Sequence, residues 1–219
     1  MHFFVNHQEK YILITNLKVM FSTLTKQTNL IAIPSIKLRK LLCKKFILRY
    51  KIFFLTRNPY SRIVSNYFDK FVYNPLVEHY EIQNCQKLFL KQLGIFRDHE
   101  ELAITKEKLT TISFNEFVSN LKFVYKEDLH FAPQHMLKLG CNNQYDQIRE
   151  NFFHKLDYQI VQMEDDIQTF LHDLKLNTNI HINKTKHEHF TDYFSSQLYN
   201  EVNLIYHKDF EYFDYQMIY

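Results

Sequence analysis

The chain has 219 residues, enough for a globular domain with a sizeable core, and we predict a single domain over residues 1–219. Its net charge is only +3 and it has no polybasic or acidic run, which argues against a nucleic-acid partner. No stretch reaches the roughly 18 apolar residues that a membrane span needs, so no transmembrane segment is predicted.

The cysteines and the N-terminal segment predict the compartment. Cys43, Cys85 and Cys141 are widely spaced and form no C-x-x-C pair, which argues against a disulfide framework or a zinc site. The N-terminal segment has no basic start followed by a long apolar region, so no signal peptide is predicted. We therefore expect reduced thiols and a cytoplasmic protein.

Short apolar runs alternate with helical stripes along the chain, which predicts an α/β fold with a parallel sheet. Strands are predicted at Tyr11–Thr15, 52–55 and Tyr158–Gln162. Helices are predicted at 18–24, 34–50, 59–71, 84–94, 113–124, 167–174 and 195–206. The helix after residue 113 has the clearest start, because Ser113 and Glu116 have the spacing of a capping box.

Residues 51–71, KIFFLTRNPYSRIVSNYFDKF, form the most informative pattern in the sequence. An apolar strand runs into a turn in which Asn58 suits the N-cap and Pro59 the first helical position. Arg57 precedes this turn and Ser65 follows it on the helix. A guanidinium, backbone N–H groups and a hydroxyl are the groups that bind a phosphate.

A second pattern of this kind, K-x-x-x-S-T, follows the first predicted strand at Lys18, Ser22 and Thr23. A lysine that reaches into the loop and hydroxyls at a helix start resemble a P-loop, although the Walker glycines are absent. Each pattern also has a simpler interpretation. Lys18 could be a solvated lysine beside a Ser/Thr cap, and Arg57 could pair with a carboxylate such as Asp69.

Together the two patterns resemble the 5′- and 3′-phosphate motifs of sulfotransferases that use 3′-phosphoadenosine 5′-phosphosulfate (PAPS). The likeness is to the Golgi carbohydrate sulfotransferases and their bacterial relatives, which carry K-x-x-x-S/T-S/T and R-D-P-x-x-R-x-x-S-x-Y. Further family-like markers follow in the same order along nearly the whole chain: SFNEF at 113–117, DLHFAPQ at 128–134, YQIVQME at 158–164 and IYHKDF at 205–210.

The resemblance implies a P-loop-like three-layer α/β fold, in which helices flank a central, mainly parallel sheet. It also implies sulfuryl transfer from PAPS to a carbohydrate hydroxyl, in a polysaccharide or a glycolipid, with no metal. Lys18 would neutralise the bridging oxygen at the 5′-phosphate, which Ser22 and Thr23 would also hold. Arg57 and Ser65 would bind the 3′-phosphate.

The same resemblance implies a role for two further residues. Asn183 and Lys184, in HINKTK, would close over the nucleotide. Apart from the resemblance, we expect Arg62 to be structural, paired across its helix with Asp69 or with an adjoining strand end.

The acceptor hydroxyl needs a base, and His130 is the first candidate because it lies in the family-like D-x-H segment. A histidine before an aromatic residue and a proline could instead bridge loop carbonyls. The alternative bases are His2, His7 and Glu81.

Two other functions stay open from the sequence. A small-molecule kinase would also use strand–loop–helix phosphate sites, although it would have no use for a 3′-phosphate clamp. A non-catalytic member of the family could bind a nucleotide or a partner. Bulky Met20 and Phe21, in a loop where the family has small residues, keep that option open, as does the scarcity of glycine. Asn58 in place of the usual Asp and Phe131 in place of Trp bear on turnover more than on fold. A peripheral membrane contact also stays open.

Overall fold

The computed structural model describes residues 2–33, 49–73, 82–99, 101–136, 157–179 and 187–219. The chain divides into two compact units, one of Met1–Arg57 with Met136–Asn183 and one of Asn58–His135 with Lys184–Tyr219. Most of the helix predicted at 34–50 lies outside the described residues. The single domain over residues 1–219 stays a prediction.

Five strands form the sheet of the first unit: β1 (His2–Asn6), β2 (Tyr11–Thr15), β3 (Ile31–Ile33), β4 (Lys51–Thr56) and β5 (Tyr158–Gln162). Their order is β3-β1-β2-β4-β5. β1 runs antiparallel to β2 and β3, whereas β4 runs parallel to β2 and β5. The predicted α/β class and its three predicted strands are confirmed, and the sheet is mixed.

The burial of the central strand β2 on both faces explains why its sequence does not alternate between apolar and polar residues. All five residues of YILIT are buried, and residues that point to opposite faces of the sheet are equally covered. One face carries an apolar core that includes two short helices, α1 (Phe21–Leu24) and α6 (Ile167–Asp173). The buried residues of this core are Phe4, Tyr11, Leu13, Val19, Leu24, Phe53, Leu55, Leu171 and Leu176.

The second unit is helical in its described part. Its helices are α2 (Pro59–Tyr67), α3 (Asn84–Gln92), α4 (Leu102–Thr111), α5 (Phe114–Val124) and α7 (Ser196–Phe213). A π-helical segment, Phe68–Tyr73, continues α2. The capping box before α5 is confirmed, since Ser113 Oγ accepts from the Glu116 N–H and the Glu116 carboxylate accepts from the Ser113 N–H.

Three helices differ clearly from the sequence-based expectation. α1 begins at Phe21 and not at residue 18, because Lys18 and Met20 take left-handed backbone angles. α4 was not predicted, because LAITKEKLTT has no continuous apolar face and the N-cap residue Glu101 makes no side-chain hydrogen bond to the helix. α7 was predicted to end at Tyr206, and there the backbone leaves helical geometry before helical structure resumes as far as Phe213. Among the described helices, none is both long and apolar enough to cross a lipid bilayer.

We predict that Leu13→Ala lowers the free energy of unfolding by about 2–5 kcal/mol, because it removes a fully buried side chain from the central strand and leaves a cavity. Leu204→Ala is the matched control, since Leu204 is 79% exposed. Urea unfolding followed by circular dichroism measures both changes. Equal losses for the two variants would contradict this description of the core.

Candidate functional site

Lys18 and Arg57 follow neighbouring strands of the first unit at the same edge of its sheet. β2 and β4 are parallel, with Ile14 opposite Phe54, so the loops after both strands emerge on one side. The Met163 N–H donates to the Thr56 carbonyl over 2.9 Å, which brings the residue after β5 to the same edge. In open α/β sheets, ligands bind in the crevice outside the carboxyl ends of parallel strands.

The loop after β2 is tightly turned although it contains no glycine. The Val19 N–H donates to the Asn16 carbonyl over 3.2 Å, and the Thr15 hydroxyl donates to the Val19 carbonyl. Lys18 and Met20 both take left-handed backbone angles, with φ of 67° and 57°. For residues with a Cβ this conformation is strained, so the surrounding contacts must hold the loop in place.

Ser22 and Thr23 lie in α1, directly after this loop. Ser22 is half-buried and Thr23 is buried. α1 has only four residues, and no side chain caps it at Met20. Because so short a helix adds little dipole, an anion at this place would depend on the Lys18 ammonium and the two hydroxyls more than on the helix itself.

Arg57 joins the two phosphate-type loops within the first unit. Its Nη1 donates to the carbonyl of Lys18 over 3.3 Å, and its side chain is half-buried. The arginine of one predicted motif therefore contacts the lysine residue of the other. The sequence placed these motifs 39 positions apart, and only the parallel pairing of β2 and β4 explains why they meet.

In the second unit, the start of α2 is built as predicted. The Asn58 side chain accepts from the Tyr60 N–H over 2.9 Å, and Pro59 occupies the first turn. The amide of Asn58 thus supplies the N-cap oxygen that an Asp would supply at this position. Ser65 lies further along the same helix and is buried, with 4% of its surface exposed.

Arg62 lies on α2 and is almost completely buried, with 1% of its surface exposed. Its guanidinium donates to three backbone carbonyls: Ala132 at 2.9 Å, His130 at 3.1 Å and Leu129 at 3.2 Å. Burial lowers the pKa of Arg62, and Tyr206 and Asp209 oppose that effect. These contacts agree with the structural role predicted for Arg62. The partners of its guanidinium are backbone carbonyls, and a pair with Asp69 stays a prediction.

His130 is held from both its ring and its backbone. Its Nδ1 lies 2.7 Å from Asp128 Oδ1, and its N–H donates to the same oxygen over 2.8 Å. The Asn66 amide donates to the His130 carbonyl over 2.7 Å. The ring contact is thus to a carboxylate, whereas the alternative interpretation expected a ring that bridges loop carbonyls.

The electrostatics around Asp128 favour its ionised form. Partial burial raises the pKa of Asp128, but the hydrogen bonds and charge of His130 outweigh burial, and the pKa lies below its ordinary value. Asp128 is therefore a carboxylate near neutral pH.

The end of the 128–135 segment is tied to α7. Tyr206 donates from its hydroxyl to the Phe131 carbonyl over 2.6 Å. The Asp209 carboxylate accepts from the N–H groups of Gln134 and His135 over 2.6 and 2.8 Å. Two markers that the sequence showed only as ordered motifs, at 128–134 and 205–210, therefore bind one another in the second unit.

Sequence reasoning missed His135, whose Nδ1 lies 2.7 Å from Asp209 Oδ1. His135 directly follows the D-x-H-F-x-P-Q segment, and that adjacency was the available signal. Its ring also stacks on Tyr212, with 5.9 Å between ring centroids. The described part of the second unit thus contains two histidine–carboxylate pairs.

The other predicted site residues fall in different places. The ring of His2 lies 3.9 Å from that of Phe21, centroid to centroid. His7 follows the opposite end of β1, at the edge away from Lys18, and its Nδ1 lies 2.9 Å from the Tyr50 hydroxyl. Glu81, Asn183 and Lys184 lie outside the described residues.

One group of described side chains has donor atoms close enough to hold a cation. Cys85, Asp128 and His130 each offer one such atom, all within 4.8 Å of one another. Burial, however, raises the pKa of Cys85 to about 12, so its sulfur is a protonated thiol near neutral pH. A metal there would have to displace the proton of this thiol, and we assign no metal to this group.

A mixed α/β sheet with cationic and hydroxyl side chains after the carboxyl ends of parallel strands is typical of proteins that bind phosphorylated ligands. The model of the sulfotransferase family matches residues 2–216, and the chain belongs to this family. Its members are transferases that generally use PAPS as the sulfuryl donor. Searches of curated proteins and of solved structures gave no significant match.

We predict that Arg62→Lys lowers the free energy of unfolding by about 2–4 kcal/mol, because one ammonium cannot reach three carbonyls that a buried guanidinium satisfies. Arg97→Lys makes the same change at an exposed position and should cost little. Urea unfolding of both variants tests this, and a negligible loss for Arg62→Lys would show that the carbonyls do not depend on the guanidinium.

Proposed function

We propose that this chain is a PAPS-dependent O-sulfotransferase, which moves a sulfuryl group from PAPS to a hydroxyl of a carbohydrate in a polysaccharide or a glycolipid. The contact between Arg57 and the Lys18 loop carries the proposal, because it joins two cationic motifs at the edge of the sheet where α/β proteins generally bind their ligands. The family match over residues 2–216 supports the same chemistry. A P-loop-like, three-layer architecture is part of this proposal.

Lys18 is the proposed catalytic cation. In sulfuryl transfer the acceptor oxygen bonds to sulfur as the bond from sulfur to the 5′-phosphate oxygen breaks, and adenosine 3′,5′-bisphosphate leaves. Charge develops on that phosphate oxygen in the transition state, where a fixed ammonium is most effective. Ser22 and Thr23 donate hydrogen bonds to the same phosphate.

Arg57 and Ser65 are the proposed ligands of the 3′-phosphate. A guanidinium binds phosphate through paired N–H donors, and a hydroxyl adds a further donor. A 3′-phosphate distinguishes this donor from ATP. Asn183 and Lys184 are proposed, from the resemblance alone, to close over the nucleotide.

His130 is the proposed base that accepts the proton of the acceptor hydroxyl. Its ring is bonded at Nδ1 to an ionised carboxylate, as is common for catalytic histidines that need a fixed orientation. The reaction needs no metal in this scheme. The acceptor, a cytoplasmic location and the lack of a nucleic-acid partner stay proposals.

A non-catalytic member of the family is the second candidate, and one observation favours it. Lys18 and Met20 occupy left-handed backbone conformations without glycine, in a loop that would have to approach a phosphate closely. A member of this kind would bind the nucleotide but would not turn it over. A kinase is disfavoured, because the family model that matches is that of sulfotransferases.

We predict that Lys18→Ala lowers kcat by about 10²-fold or more while the affinity for adenosine 3′,5′-bisphosphate falls by less than about 10-fold, because the lysine acts mainly on charge that develops in the transition state. The assay follows radiolabelled PAPS with chondroitin, desulfated heparin and a neutral glycolipid as acceptors. Binding is measured separately by calorimetry.

Lys26→Ala is the matched control, since Lys26 is an exposed lysine of the same unit. Equal losses of turnover and binding in Lys18→Ala would give Lys18 a binding role only. If the wild type binds the bisphosphate but transfers sulfate to none of the acceptors and does not hydrolyse PAPS, the non-catalytic candidate is favoured.

A further inference from the structure

We propose that Asp128 is a positioning residue, which holds His130 in the tautomer with its proton on Nδ1 and so leaves Nε2 as the proton acceptor. The inference rests on the role proposed for His130 and deepens it. Nothing in the sequence motif assigned a role to Asp128 beyond its place in the D-x-H segment.

The geometry around one oxygen atom carries the first step. Asp128 Oδ1 lies 2.8 Å from the backbone nitrogen of His130 and 2.7 Å from Nδ1 of its ring. Both of these hydrogen bonds join the Asp128 carboxylate to His130. The same oxygen therefore sets both the backbone and the ring of His130.

The chemistry of the pair determines where the proton lies. An ionised carboxylate can accept hydrogen bonds but cannot donate them, so the ring nitrogen that faces it must carry the hydrogen. Asp128 is ionised near neutral pH, as its lowered pKa requires. In a neutral imidazole the other nitrogen, Nε2, then has the free lone pair.

The other side of His130 is fixed as well, which makes the orientation of the ring specific. Its carbonyl accepts from Arg62 Nη2 over 3.1 Å and from Asn66 Nδ2 over 2.7 Å. With the backbone held at both its N–H and its carbonyl, rotation of the side chain is the remaining freedom. The bond from Nδ1 to Asp128 removes it.

The second histidine–carboxylate pair shows what a mainly structural carboxylate looks like in the same unit. Asp209 is fully buried, and its two oxygens bind the backbone N–H groups of two residues, Gln134 and His135. Asp128, by contrast, is half-buried, and its hydrogen bonds end at one histidine. The His135 ring is thus an internal control for any effect on His130.

The test measures the tautomer directly by long-range ¹H–¹⁵N correlation spectra of the full chain labelled at histidine, at about pH 8, where imidazoles are ordinarily neutral. We expect the wild-type His130 ring to be protonated on Nδ1. Asp128→Ala should move the proton to Nε2, and Asp128→Asn, whose amide can either accept or donate, should give a mixture. His135 should not change in either variant, nor should either ring in the exposed control Glu127→Ala.

Turnover provides the second readout. We expect kcat of Asp128→Ala to fall by about 10²-fold or more, with the affinity for adenosine 3′,5′-bisphosphate changed by less than about twofold. Should Asp128→Ala fail to fold, Asp128→Asn gives the same readouts in a side chain of equal size.

A wild-type His130 protonated on Nε2, or a tautomer that does not change in Asp128→Ala, would overturn the proposal whatever the activity. A changed tautomer with normal kcat would overturn the role of His130 as base. If the wild type neither transfers sulfate nor hydrolyses PAPS, the proposed function fails, and the spectra alone still decide what Asp128 does.

Discussion

The buried guanidinium of Arg62 is the interaction on which the second unit depends most. It satisfies three carbonyls of the segment that carries His130, and Tyr206 and Asp209 bind the next part of that segment. A charge removed from water is tolerated only when its hydrogen bonds are complete, so the segment can take few other conformations. The position of the proposed base is therefore set by groups that do not take part in the reaction.

The first unit reaches a comparable result by a different route. Two parallel strands end side by side, and Arg57 then contacts the loop that carries Lys18. Lys18 and Met20 hold left-handed backbone angles that a glycine would adopt without strain. The contacts around this loop must therefore compensate for that strain. In both units, then, a cationic arginine next to a backbone carbonyl fixes a residue with a proposed chemical role.

Local sequence patterns predicted the strands and the helix starts, but they did not predict most of the side-chain contacts. The strands β2, β4 and β5, the Asn58–Pro59 helix start and the Ser113 capping box could be predicted, because each depends on residues close in sequence. β3 has three residues and α4 has no apolar stripe, so neither left a periodic signal. The partners of Arg62 and the pair of Asp209 with His135 depend on tertiary contacts that motif order could not reveal. The pair of Asp128 with His130 joins residues two apart, but it depends on side-chain conformations that the D-x-H motif does not specify.

The central claim is that the two cationic motifs serve a nucleotide with a 3′-phosphate. Calorimetric titration of the full chain with adenosine 3′,5′-bisphosphate and with ADP tests it most directly. Both ligands carry two phosphates on an adenosine, and they differ in the position of the second phosphate. We predict that the bisphosphate binds at least about 10-fold more tightly, a difference of about 1.4 kcal/mol. Equal affinity, or no binding of the bisphosphate, would contradict the account.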